Sequence, residues 1–194
     1  MKKIIVIAAL LLGIAFGTQA QTFIGLNVGI GVESAGDNGG LTYGASADFG
    51  FLNTSFGTWG LFASLNNSIG TAGHTDLGII HLSRQWRDRT SFIWGAGIDI
   101  RSALEIPYGR TGSDDGTEIT GFHDQKGYGL VLRAGVSFKS HLYLTGSFAF
   151  GKYTLVKDIY SLSHTPAGLH YDGYRAEESD NSYYTVGLNI GYKF

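Results

Sequence analysis

Cysteine is absent from this chain. That excludes a disulfide framework, and it excludes a lipid anchor carried on a cysteine. Proline occurs only twice, against thirty glycines and 13% aromatic residues. That balance favours an all-β chain whose backbones approach closely. A basic excess is also missing: 14 Lys and Arg face 16 Asp and Glu, for a net charge of −2. With no basic face, nucleic acid is not expected as a partner. Beyond residue 20 no apolar stretch approaches the ~20 residues of a spanning helix. If the remainder crosses a membrane it must do so as a closed barrel, since helices and closed barrels alone satisfy their backbone polar groups in lipid. No linker, charge block or long repeat divides it.

Residues 1–20 have the pattern of a secretory signal peptide. Lys2 and Lys3 precede an apolar run from Ile4 to Phe16, and Thr18-Gln19-Ala20 forms a small-x-small cleavage site. The run is too short to span a bilayer. The expected organisation is a signal peptide, 1–20, followed by one domain, 21–194.

The stretch 183–194, Y-Y-T-V-G-L-N-I-G-Y-K-F, separates cleanly by parity. Tyr184, Val186, Leu188, Ile190, Tyr192 and Phe194 fall on one face. Tyr183, Thr185, Gly187, Asn189, Gly191 and Lys193 fall on the other. Aromatics at both ends of a greasy face, with aliphatics between, suit a lipid-facing barrel strand. The same period of two recurs at 24–32, 43–51, 58–66, 77–86, 92–101, 128–138 and 142–150. The fourth is the weakest. There Ile80, Leu82 and Trp86 are expected outward, with His81, Ser83 and Gln85 inward. Eight strands of about 9–11 residues, an even number, predict an eight-stranded antiparallel up-and-down transmembrane β-barrel. Short links alternate with long ones at 33–41, 67–76, 102–126 and 154–182. Short turns on the periplasmic side and long loops outside place both termini in the periplasm. That topology gathers Trp59, Trp86, Trp94, Phe138, Tyr192 and Phe194 into an aromatic girdle at the periplasmic rim.

The inward positions carry both charge signs. Buried charges in so narrow a lumen must pair. The expectation is that Asp48 and Asp99 pair with Arg101 and Arg133 and close the interior; the alternative is an ion-conducting throat lined by the same groups.

These features resemble the small eight-stranded bacterial outer-membrane β-barrels: the outer-membrane protein A transmembrane domain, outer-membrane protein X and the opacity-type, porin-family surface proteins. The resemblance covers nearly all of residues 21–194. It implies a Gram-negative outer-membrane location amid lipid and lipopolysaccharide. It also implies that the barrel-assembly machinery reads the terminal strand, 183–194, which stops on Phe194. Members include adhesins, host-binding proteins, anchors and a few enzymes.

Catalysis is not expected. The minority reading is a lipid A-modifying esterase using His81 and Ser83, whose His-x-Ser spacing is loosely similar to that of outer-membrane lipid A deacylases. The asparagine that follows the serine in that family is replaced here by Arg84. The histidines assigned to loops, including His74, His123, His164 and His170, fit no metal-site spacing, and no metal or cofactor is assigned. The G-x-G spacing at Gly29 and Gly31 precedes no helix and so is no phosphate loop. Tyr160, Tyr171, Tyr174 and Arg175 are residue types of recognition surfaces and mark 154–182 as the candidate binding loop for an extracellular ligand. A non-enzymatic structural or surface-recognition protein is the resulting expectation.

Overall fold

The structure, a computed structural model, describes residues 23–35, 38–69, 73–83, 90–102, 106–113, 116–138, 141–165 and 168–194. The expected signal peptide, 1–20, and Trp86 lie outside these residues.

The described chain is all β. Nine strands run β1 (Phe23–Ala35), β2 (Asn38–Thr54), β3 (Gly57–Ser68), β4 (Gly73–Ser83), β5 (Thr90–Ser102), β6 (Ile106–Ser113), β7 (Gly116–Phe138), β8 (Leu142–Thr165) and β9 (Gly168–Lys193). Every pairing is antiparallel. Two pairings close the sheet on itself: β1 with β9, and β5 with β7. Among the described residues eight strands therefore form a closed ring, and β6 stands outside it, paired with β7 alone. The expected count of eight corrects to nine, because the stretch read as a loop at 102–126 contains β6 and the first half of β7.

Alternation explains the ring. On β1, Leu26, Val28, Ile30 and Val32 are each more than half exposed, while Asn27 is 3% exposed. On β9, Tyr184, Val186, Leu188, Ile190 and Tyr192 face out in the same way. The apolar side chains thus coat the outside, and the small and polar ones fill the inside. Part of the ring's interior is apolar. Phe62, Ile80, Leu82, Ile93, Val131, Tyr143 and Ala149 cluster there, with Phe23 packed against them.

That cluster corrects the expected parity of β4. Ile80 and Leu82 point inward, whereas Leu77 and Ile79 are exposed. His81 is directly opposite Trp59 on β3 and Trp94 on β5, so it shares their outer face. It is buried because the two indoles cover it, at ring distances of 4.5 and 5.2 Å. β4 has apolar residues on both faces, and its neighbours' register decides which set turns in.

The β2–β3 turn depends on Gly57, whose φ of 147° an L side chain rarely adopts. Thr54 secures it by accepting from the Phe56 amide at 3.3 Å and donating to the Gly57 carbonyl at 2.9 Å. The other end of the ring is different. β7, β8 and β9 run on past it, and with β6 they make a four-stranded sheet. Beyond Tyr183, β9 pairs with β8 alone. At about 3.3 Å per residue, the chain from Tyr183 back to Gly168 reaches roughly 50 Å past the last contact with β1. The stretch expected as a loop at 154–182 is therefore the far part of a long hairpin.

Candidate functional site: the polar interior of the ring

Two buried carboxylates organise the interior, one in each half. Asp48 on β2 lies opposite Gly25 of β1 and Phe62 of β3, near the end that holds Phe23. It is fully buried. Arg133 of β7 donates from Nη1 to its Oδ1 at 2.8 Å. Its Oδ2 accepts from Asn27 Nδ2 at 3.0 Å and from the Tyr143 hydroxyl at 2.8 Å. The Arg133 guanidinium also lies 4.8 Å over the Phe62 ring, and Nη2 donates to Ser46 at 3.3 Å. Tyr143 can reach across because Gly25 and Gly191 leave the space. A Cβ on Gly25 would sit 2.3 Å from the tyrosine oxygen, and one on Gly191 would sit 2.7 Å from the ring. A buried ion pair is tolerable only when its remaining lone pairs are also satisfied, and here they are.

Asp99 on β5 lies in the other half and is also fully buried. Its Oδ2 accepts from the Tyr183 hydroxyl at 2.7 Å, across Gly129, where a Cβ would sit 2.3 Å from that oxygen. No arginine pairs with it among the described residues. Arg101 turns instead to Glu33 of β1, in a close ion pair, with its guanidinium 3.8 Å from the Tyr183 ring centroid. Of the four expected network residues, the fold brings Asp48 to Arg133 and sends Arg101 to Glu33.

Directly opposite Asp99 on the neighbouring strand is Asp76. Two residues away on the same inner face is His74, whose Nδ1 is 3.2 Å from Asp99 Oδ1 and 3.7 Å from Asp76 Oδ1. His74, Asp76 and Asp99 are all buried, and their ligand atoms lie within 4.8 Å of one another. Ser64 donates to Asp76 Oδ2 in a very short hydrogen bond, and Asn66 Nδ2 donates to the same oxygen at 3.0 Å. Sequence reasoning misses this cluster and Glu33 because 33–41 and 67–76 lack a clear apolar alternation and read as loops, although strand continues into both. The available signal was the inward register of β4, which puts His74 and Asp76 on the same side as Gly78 and Ile80.

The other expected residues are placed as follows. Trp59 and Trp94 stand edge to face at 5.2 Å on the outer surface near the Phe23 end. Phe138, Tyr192 and Phe194 are exposed at that end too, with Tyr192 and Phe194 at 5.0 Å. Ser83 accepts from the Phe92 amide at 2.8 Å. Neither ring nitrogen of His81 has a hydrogen-bond partner among the described residues, so His81 and Ser83 are not joined. On the projecting hairpin Tyr160 and Tyr174 are directly cross-strand, their rings 5.1 Å apart, and the Tyr174 hydroxyl donates to Asp158 at 2.6 Å. Tyr171 is exposed, and Arg175 pairs with Glu177 at 3.2 Å in the open.

No protein-family model and no curated protein matches the chain. Among solved structures it is similar to the translocator domain of the autotransporter NalP from Neisseria meningitidis. Identity is 10%, covering 97% of this chain and 95% of that one, with a TM-score of 0.25. It is also similar to OpdK of Pseudomonas aeruginosa, solved with vanillate, at 7% identity over 90% of this chain and 98% of that one, with a TM-score of 0.21.

Proposed function

We propose that this chain is an integral outer-membrane β-barrel that works by presenting its projecting sheet, without catalysis, to an extracellular ligand. The ring's outer face supports the membrane setting. Soluble monomers rarely expose apolar patches beyond a few hundred Å², whereas here exposed aliphatics and aromatics appear on every ring strand. Lipid and lipopolysaccharide then surround the ring, strand 183–194 engages the assembly machinery, and both termini face the periplasm.

The observation that carries the recognition role is the sheet itself. Its ladder continues well past the ring and displays Tyr171, Tyr174 and Arg175 at the surface. Amphipathic tyrosines on a stiff support offer contact area at low entropic cost. The test is a binding screen of purified protein against extracellular matrix components and glycans. A ligand should bind the intact protein, and binding should be lost in the triple variant Tyr171→Ala, Tyr174→Ala, Arg175→Ala while heat-modifiable gel mobility stays native. Retention of binding by that variant would reject the sheet as the contact surface.

The esterase alternative gains one observation: His81 and Ser83 are on the outer face, where an acyl chain would lie. It lacks a serine–histidine hydrogen bond. Mass spectrometry of lipid A with wild type and Ser83→Ala decides it. The packed apolar cluster across the lumen supports a closed interior over a channel, and single-channel recording in planar bilayers is the check.

A further inference from the structure

We infer that His74, Asp76 and Asp99 bind one divalent transition-metal ion of the zinc type inside the ring. The inference stands apart from whatever the projecting sheet recognises.

Electrostatics require a cation at this point. Asp76 and Asp99 are directly opposite on adjacent strands and both are buried. Like charges so placed repel, and buried carboxylates must be compensated. The two buried arginines among the described residues are engaged elsewhere, Arg133 with Asp48 and Arg101 with Glu33.

Geometry says what kind of cation. Among the described residues each aspartate accepts hydrogen bonds through one oxygen, Oδ2. Ser64 and Asn66 fix Oδ2 of Asp76, and Tyr183 fixes Oδ2 of Asp99. This is how outer partners orient carboxylates that ligate a metal. Among the described residues the remaining oxygens, Oδ1 of both, have no hydrogen-bond partner and meet only the His74 ring, and neither ring nitrogen of His74 has a hydrogen-bond partner. The three inner atoms converge, with Nδ1 at 3.2 and 3.7 Å from the two oxygens. Bonds of about 2.0–2.2 Å to one ion place neighbouring tetrahedral donors roughly 3.3–3.6 Å apart. The spacing is therefore that of a coordination edge.

Chemistry narrows the ion. One imidazole with two carboxylates suits zinc or a neighbouring first-row metal, whereas calcium and magnesium take oxygen donors. Two negative charges match a dication. A cavity lined by Gly44, Asn66, His74, Asp76, Ser147 and Asn189, among others, has about 20 Å³ for the centre of a water-sized sphere. That admits one water beside His74 and Asp76, and an open zinc site keeps a water as its fourth ligand.

The competing occupant is a proton on His74, which would make an imidazolium between the carboxylates. To separate the two, full-length protein purified in detergent is stripped with chelator and titrated with Zn²⁺, and retained metal is counted after gel filtration. One Zn²⁺ per chain is expected, with Mg²⁺ and Ca²⁺ not retained. His74→Gln and Asp99→Asn should each weaken binding about tenfold or more, while His170→Ala on the exposed hairpin should not. Folding is followed by heat-modifiable mobility. X-ray absorption on the zinc-loaded wild type needs no variant: it should report a single imidazole with oxygen donors at about 2.0–2.2 Å. Failure to retain zinc, a shell with two or more imidazoles, or undiminished binding by folded Asp99→Asn would overturn the inference.

Discussion

Asp48 and Asp99 are the same residue type, equally buried in the same ring, yet one is saturated and the other is open. Asp48 receives three donors on its two oxygens. Asp99 receives one, and its free oxygen looks toward a histidine and a second carboxylate. The difference follows from what stands directly across the sheet. Asp48 faces a glycine and a phenylalanine, so an arginine from β7 can approach it. Asp99 faces Asp76, so charge accumulates there. A closed interior of this kind can contain a finished structural node and an unfinished one, and the unfinished one is where a ligand is to be sought.

The largest effect that would break this contrast is at the saturated node. Arg133→Ala leaves Asp48 charged and buried, and should cost about 3–5 kcal/mol, read as a lower urea midpoint for loss of the heat-modifiable form. Tyr143→Phe removes one of the three donors and keeps the ring. It should cost about 1–3 kcal/mol in the same assay. At the open node the sign itself is the test. In chelator, Asp99→Asn relieves the repulsion with Asp76 but gives the Tyr183 hydroxyl, which donates to Asp99, a weaker acceptor in the amide oxygen. The net change should stay within about 1 kcal/mol, far below Arg133→Ala. A loss as large as that of Arg133→Ala would erase the distinction between the two nodes. The smallest effect belongs to the projecting hairpin: Tyr171→Ala, exposed and outside the ring, should change stability in the same assay by no more than about 0.5 kcal/mol.

Much of the ring was legible beforehand. Where a strand has polar or small residues on one face only, as in 24–32, 142–150 and 183–194, parity alone points each side chain correctly. Two kinds of residue resisted. In β4, Leu77 and Ile79 compete with Ile80 and Leu82, and His81 reads as an inward polar residue although Trp59 and Trp94 shelter it outside. In the long hairpins, apolar alternation fades past the ring while the hydrogen-bonded ladder continues, so 154–182 reads as loop although it is strand. For the same reason His74 and Glu33 read as loop residues, and parity alone does not show the partners of Asp99 and Arg101.

The sequence by itself determined that the ring is built of β-strands, that the greasy side chains of most of those strands share one face, and that charges of both signs lie on the other. These follow from a local period of two, which needs no knowledge of neighbours. Only the tertiary structure decided which carboxylate meets which cation, which way β4 turns, and that His74, Asp76 and Asp99 converge. Those outcomes depend on the register between strands distant in the chain, and register is set when the ring closes.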